Sequence, residues 1–265
     1  MENKIRKLGT FIWFGYRIPG KERVPFIREA GFKTVLHWWD DSFIDVEGVT
    51  KEEQAEMIRK EGLFIENAHL GYTHVNDLWL DNVNGADILA GYLSDIESMG
   101  RYEIPIAVMH TTTGRNPPTV SSVGIDRFKR IAEKGQSCGV GIAVENVRFP
   151  EITEKVLTAA DSLGFCYDSG HDFIWSKTPY ELLKKYGSRL WAVHLHDNMG
   201  VKDDHLPPGE GRLNWDIIRT GIEKSSYKGS LTLESDTAEI PAGRTAEEHL
   251  KKHYDGAVSK LYGKY

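Results

Sequence analysis

Eight times along this chain a short run of apolar, β-branched or aromatic residues gives way to a longer polar stretch with helical periodicity. Strands that alternate with helices bury their apolar faces by aligning in parallel under a cover of helices. The strand candidates are Leu8 to Phe14, Lys33 to Trp38, Leu63 to Ala68, Ile104 to His110, Val140 to Glu145, Phe165 to Asp168, Leu190 to His196 and Ser230 to Glu234. Between them lie helical patterns such as ADILAGYLSDIESMG, DRFKRIAEKGQSCG and EITEKVLTAADSLG, the last two closing on a glycine suited to a helix C-terminus. The final stretch, TAEEHLKKHYDGAVSKLYGKY, supplies the eighth helix. Eight such units in 265 residues match an α/β (β/α)8 TIM barrel in count and size. A doubly wound open sheet is the competitor; no GxGxxG follows the first strand, and no GxxxxGK[ST] occurs. No linker-like segment divides the sequence, so residues 1–265 are expected to form a single domain.

The net charge of −6 gives no basic field for a polyanion, which disfavours nucleic acid as a partner. Cys138 and Cys166 do not form a CxxC pair and fit a reducing compartment. The N-terminal MENKIRKLGTFIWFGYR lacks a signal peptide's apolar core, and no run approaches the roughly 18 apolar residues of a membrane span. A cytoplasmic protein with no membrane partner is expected.

In a barrel of this kind the chemistry sits where the strands end. At or near those ends stand His69, His110, Glu145, Asp168, His194 and Glu234, and the loop HLHDNMGVKDDHLPPGEG after the seventh strand can fold over the same face. A single histidine or carboxylate at a strand end is usually a satisfied structural residue. Six converging groups need compensation, and a bound cation supplies it.

These residues carry a resemblance. The segments AVENV, YDSGHDF, HLHDNMGVKDDHLPPGEGRLNW and LTLES, spread over nearly the whole chain, resemble the xylose isomerase-like TIM barrels, a superfamily that includes sugar epimerases, inosose dehydratase-like enzymes and endonuclease IV. The epimerase branch implies one divalent metal held by Glu145, Asp168, His194 and Glu234. It also implies substrate contacts from His171, with Arg212 after the GEG turn within reach of a substrate oxygen. The endonuclease branch implies a larger, trinuclear zinc set that adds His69, His110, His171, Asp203 and His205. The loops after the second and third strands, HWWDDSF and NDLWLDN, are acidic and aromatic and are expected to close over a small substrate rather than grip a duplex.

A ligand set of three carboxylates and one imidazole suits Mn²⁺, Mg²⁺, Co²⁺ or Zn²⁺, and no organic cofactor is expected. The reading that follows is a metal-dependent sugar or sugar-phosphate isomerase or epimerase, in which Glu145 and Glu234 also move the proton. An endonuclease IV-like phosphoesterase, with its metals about 3.5–4 Å apart, and a non-catalytic barrel that binds metal and sugar are the alternatives. His196 is expected to brace a ligand, and His37, His74 and His253 to be structural or exposed. Trp13, Trp38, Trp39 and Trp175 could wall a sugar pocket or pack in the core; Trp175 is the one expected in the pocket. A homo-oligomer remains open, since no interface pattern stands out.

Overall fold

The structure, a computed structural model, describes residues 6–236 and 243–262. Its strands are β1 (Leu8–Phe11), β2 (Thr34–Trp39), β3 (Phe64–Leu70), β4 (Ile106–Met109), β5 (Gly141–Glu145), β6 (Gly164–Asp168), β7 (Leu190–His194) and β8 (Leu231–Leu233). All are parallel and follow one another in chain order, with β1 paired to both β2 and β8. Between β7 and β8, Leu195 N–H donates to Thr232 O at 2.9 Å and Glu234 N–H donates to Leu195 O at 3.1 Å. Those two bonds close the sheet on itself, so no strand is left as an edge. This is the (β/α)8 TIM barrel that the eightfold alternation predicts.

The covering helices are α1 (Gly20–Glu29), α2 (Ile44–Glu47), α3 (Lys51–Lys60), α4 (Val83–Arg101), α5 (Ser122–Cys138), α6 (Pro150–Ala159), α7 (Ser169–Trp175), α8 (Glu181–Tyr186), α9 (Trp215–Lys224) and α10 (Ala246–Leu261). Local chemistry fixes several of their ends. Thr50 with Glu53 and Thr245 with Glu248 form capping boxes at the starts of α3 and α10. Gly139, at φ +72°, ends α5 as expected of a left-handed cap. The same expectation fails for Gly164. Helix α6 stops at Ala159, and Gly164 instead opens β6, where an added Cβ would lie 2.2 Å from Trp191 Cδ2. Its glycine is demanded by packing, not by a turn. Trp79 is likewise buried, with its indole N–H on Thr111 O at 2.8 Å, and does not close over a ligand. Among the described residues, no helix is long and apolar enough to cross a membrane.

Alternate residues of a strand share a face, so Ala143 stands below Glu145, Cys166 below Asp168 and Ala192 below His194. With Val108, these small residues pack together inside the barrel. The pairing of β6 with β7 skips Trp191, a bulge that lets its ring pack against the backbone of Gly141 and Gly164 without turning His194 away from the interior. The polar strand ends therefore stand on a packed apolar floor.

His37 is fully buried in β2 and bonds Lys51 O through Nε2 at 2.9 Å. Burial pushes its pKa down from 6.5 to about 4. The unfolded chain takes up a proton at His37 below about pH 6.5 while the folded chain does not until about pH 4, so stability falls as pH drops through that window. This one residue is worth about 3 kcal/mol across it. Denaturant unfolding of metal-free protein at stepped pH should show a shallower decline for His37→Gln; parallel curves would remove His37 as a cause.

Candidate metal centre

Ligand atoms of Glu145, Asp168, His194 and Glu234 all lie within 4.8 Å of one another. Consecutive strands β5, β6, β7 and β8 deliver them, three from a last strand residue and Glu234 from just beyond its strand. Two more groups adjoin this one: His69 with Glu145 and His194, and His171 with His196, Asp203 and His205, each within the same spread. Glu145 joins two of the groups. Its Oε2 lies 3.2 Å from His69 Nε2, 3.3 Å from His194 Nδ1 and 3.6 Å from His110 Nε2, and its Oε1 lies 2.9 Å from His171 Nδ1. The structure thus brings together all nine positions named from the sequence.

The hydrogen bonds on the far side of each imidazole decide what its near side can do. His69 Nδ1 bonds Leu70 O at 2.7 Å, His171 Nδ1 bonds Asn146 O at 3.1 Å, and His205 Nδ1 bonds Glu234 O at 2.7 Å. His194 Nε2 bonds Asn67 Oδ1 at 3.1 Å. Each of these acceptors requires an N–H from the ring, so the other nitrogen carries the lone pair unless a second proton is added. That second nitrogen faces a carboxylate every time: His171 Nε2 is 3.0 Å from Asp203 Oδ2, and His194 Nδ1 is 3.0 Å from Glu234 Oε2. Two electron-rich atoms repel at that distance unless a proton or a metal ion lies between them. Moreover, His194 Nδ1, Glu145 Oε1, Glu234 Oε2 and Asp203 Oδ1 are buried without a well-directed hydrogen bond. Short contacts with poor direction are what a shared cation produces, so the residues fit a metal.

Protons can fill the same role. Burial opposes charge on His194, but the Glu234 carboxylate and a hydrogen bond to Glu145 outweigh it and hold the imidazole well above its usual pKa. Asp168 and Asp203 do the same for His171, and Asp203 and Asp236 for His205. Burial would raise the carboxylates, yet hydrogen bonds from His171 and His194 hold Glu145 far below its usual value, and His194 brings Glu234 down to about 2. His110 differs, because burial outweighs Glu145 and pushes it down to about 3, leaving it neutral and stacked on Tyr72 at 4.2 Å. Burial also pushes the Cys166 thiol up to about 12, which keeps it protonated and a poor ligand.

Helix α7 begins at the site. Asp168 caps it by accepting from His171 N–H at 2.6 Å, and Gly170 leaves room for the His196 ring, which an added Cβ would meet at 2.0 Å. His196 Nε2 bonds Asp168 at 3.0 Å, and its ring stacks on His205 at 4.0 Å. It braces a ligand and also stands in the outer group. In the long loop after β7, Asp197 is a structural hub: it accepts from Asn198, Gly209 and Leu213 N–H and from the Trp215 indole at 2.8–3.0 Å. Asp204 accepts from Met199 N–H, which leaves Asp203 as the aspartate of that loop facing the site. His205 holds a left-handed φ of +48° there, an unfavourable conformation compensated by its bond to Glu234 O.

Above the candidate ligands lies a cavity of about 370 Å³, in the size range of small-molecule sites. His69, His110, His171, Asp203, His205 and Glu234 form its polar floor; Tyr72 and Trp175 are walls. Trp175 lies against His171 at 4.6 Å, in the pocket as expected. Arg212 is a correction, since it is exposed and absent from the cavity lining: its N–H bonds Asn198 O, which holds that turn against the loop. Arg115 and Arg148 line the cavity instead. Neither Trp13, Trp38 nor Trp39 lines it: Trp39 is core, Trp13 packs on Phe43, and Trp38 backs His69 at 5.4 Å. His37 and His253 are buried, and His74 is exposed.

The chain belongs to the xylose isomerase-like TIM barrel family, whose model matches residues 24–254. It is 30% identical over 147 residues to an uncharacterised protein of Methanocaldococcus jannaschii, covering 51% of this chain and 49% of that one. It is also 29% identical over 102 residues to the inosose dehydratase of Bacillus cereus, covering 31% of this chain and 34% of that enzyme. The chain thus spans about half or less of the length of these relatives. Among solved structures it shares its fold with an IOLI protein holding a zinc atom (TM-score 0.79, 16% identity, 96% of this chain and 98% of that one). It also matches a D-psicose 3-epimerase from Clostridium cellulolyticum solved with D-tagatose (TM-score 0.74, 14% identity, 96% and 99%).

Asn67 was not anticipated from the sequence, although it lies two residues before His69 on the same face of β3. Asn67→Leu removes the oxygen that orients His194 and is expected to weaken divalent-cation binding about 10- to 100-fold. Competition with a fluorescent chelator measures this; unchanged affinity would show that His194 is held by other means.

Proposed function

We propose that this protein is a divalent-metal-dependent isomerase or epimerase of a small sugar or polyhydroxylated substrate. The observation that carries the reading is the inner group, Glu145, Asp168, His194 and Glu234, whose Glu234 lines a cavity sized for a small molecule. Mn²⁺, Mg²⁺, Co²⁺ or Zn²⁺ held there would polarise a substrate carbonyl and its neighbouring hydroxyl, which acidifies the carbon between them. Glu234 faces the cavity and takes the proton from that carbon; Glu145, across His194, passes a proton from the adjoining His171 imidazolium to the opposite face, and the proton on Glu234 leaves to solvent. His171 and His205 on the floor hold substrate hydroxyls, and Trp175 packs against the ring or chain of the sugar. The epimerase and dehydratase names among similar proteins agree with chemistry next to a carbonyl.

A second reading, an endonuclease IV-like phosphoesterase with two or three metals, is favoured by the two adjoining ligand groups. Metal content separates the two. One tightly held ion per chain, with exchange of a ketose C–H for solvent deuterium followed by NMR, is the expected result. Glu145→Gln and Glu234→Gln should each slow that exchange by about 10²- to 10⁴-fold while circular dichroism is unchanged. Two or three ions together with hydrolysis of a model phosphodiester would favour the second reading. A metal-loaded protein that exchanges no sugar proton and hydrolyses no phosphodiester would be a binding barrel.

A further inference from the structure

Resting on the reading of the cavity as a sugar site, we propose that its outer end is an anion subsite built by Arg115 and Arg148, so that the substrate is a polyol carrying a carboxylate or phosphate. Both arginines are exposed at the cavity lining, and neither meets a carboxylate at ion-pair distance among the described residues. Arg23, Arg28 and Arg219 are by contrast each paired with an acid, and Arg127 and Arg189 bond backbone carbonyls; Arg17, Arg130 and Arg212 are also exposed, but none of them lines the cavity.

Both side chains are carried on fixed backbone. Arg148 follows Glu145 by three residues, and the intervening Asn146 is locked to β6, donating to Asp168 O and accepting from Asp168 N–H, each at 2.8 Å. Its guanidinium lies over Trp175 at 5.1 Å, and Trp175 in turn lies against His171. An arginine stacked by its face keeps its N–H edge free, the edge that matches an oxyanion in a two-point bond. Arg115 follows a clamp in which the Asn76 amide donates to Thr113 O at 2.8 Å and accepts from Thr113 N–H at 2.9 Å. Gly114, at φ +77°, turns the chain there. Beside it Thr112 lines the cavity with a buried hydroxyl that has no partner among the described residues. A cavity with metal ligands at the floor and two unpaired guanidinium groups at the outer end orients a substrate by both of its ends.

The test uses polyols that lack a carbonyl, because these bind without turning over. Calorimetry on Mn²⁺-loaded protein compares xylitol, xylitol 5-phosphate and xylonate. The two anions are expected to bind at least tenfold tighter than xylitol, about 1.4 kcal/mol, with the preference shrinking as salt is raised. It should fall below threefold in the R115A/R148A double variant and be intermediate in R148K, which keeps the charge but loses the planar stack. Which anion loses more in the double variant tells phosphate from carboxylate. Equal affinities for all three polyols, or a preference that survives in the double variant, would overturn the subsite, as would tight arginine-dependent binding of an abasic-site duplex with no preference among the polyols. A failed ketose exchange assay with the anion preference intact would instead count against the isomerase reading alone.

Discussion

Glu145 is a carboxylate that is 1% exposed at the centre of a barrel, and the site is organised around the need to compensate it. An isolated buried carboxylate is too costly to keep ionised. Here four imidazoles from four different segments converge on its two oxygens, at 2.9–3.6 Å. Three of them, His69, His171 and His194, are in turn aimed by Leu70 O, Asn146 O and Asn67 Oδ1, and the neighbouring His205 by Glu234 O. Backbone carbonyls of the strand ends and loops therefore set ring orientation, and the barrel's closure sets where those carbonyls lie. Glu234, whose N–H closes β7 to β8, also holds His205 through its backbone carbonyl. Fold and site share their hydrogen bonds.

The candidate ligand residues were legible because strands impose a period of two and end on one face of the barrel. Glu145, Asp168 and Glu234 each end a predicted strand and His194 lies two residues from the end of another, so the strand assignment placed them on one face. Other features left no such trace. Gly164 reads as a helix stop in sequence because a glycine follows an amphipathic run, while its actual reason is the ring of Trp191, 27 positions later. Trp79 reads as a loop aromatic but is buried against α5, where an added Cβ on Gly124 would strike it at 2.1 Å. Arg115 and Arg148 are isolated basic residues without a pattern, and only the shared cavity relates them. Arg212 drew attention by following a glycine turn, yet Asp197 and Asn198 gather that turn against the loop and leave its side chain outside.

The loop after β7 shows how one segment divides its polar residues between building and chemistry. Asp197 satisfies three backbone N–H groups and an indole, which is enough to order a long loop with few apolar contacts of its own. Once that frame is fixed, Asp203 and His205 can be held over the site even at the cost of a left-handed residue. A loop dense in aspartate and histidine is thus partly a structural device, and a ligand count taken from composition alone would overstate the metal site.

Buried carboxylates and aimed histidines determine where a cation sits, but they are shared by proteins with different reactions. Selectivity has to come from groups farther out. In this chain the outer groups are Tyr72, Arg115 and Arg148, from loops that contribute nothing to barrel closure, and Trp175, at the end of α7. On the proposed function, interactions with the far end of a substrate would fix its reacting carbon against Glu234, since binding remote from the chemistry helps to set orientation at the reacting centre. The stack from Arg148 through Trp175 to His171 joins those two ends physically. It links what the outer cavity recognises to the histidine nearest Asp203, and so couples the part of the site that varies most easily to the part the fold cannot alter.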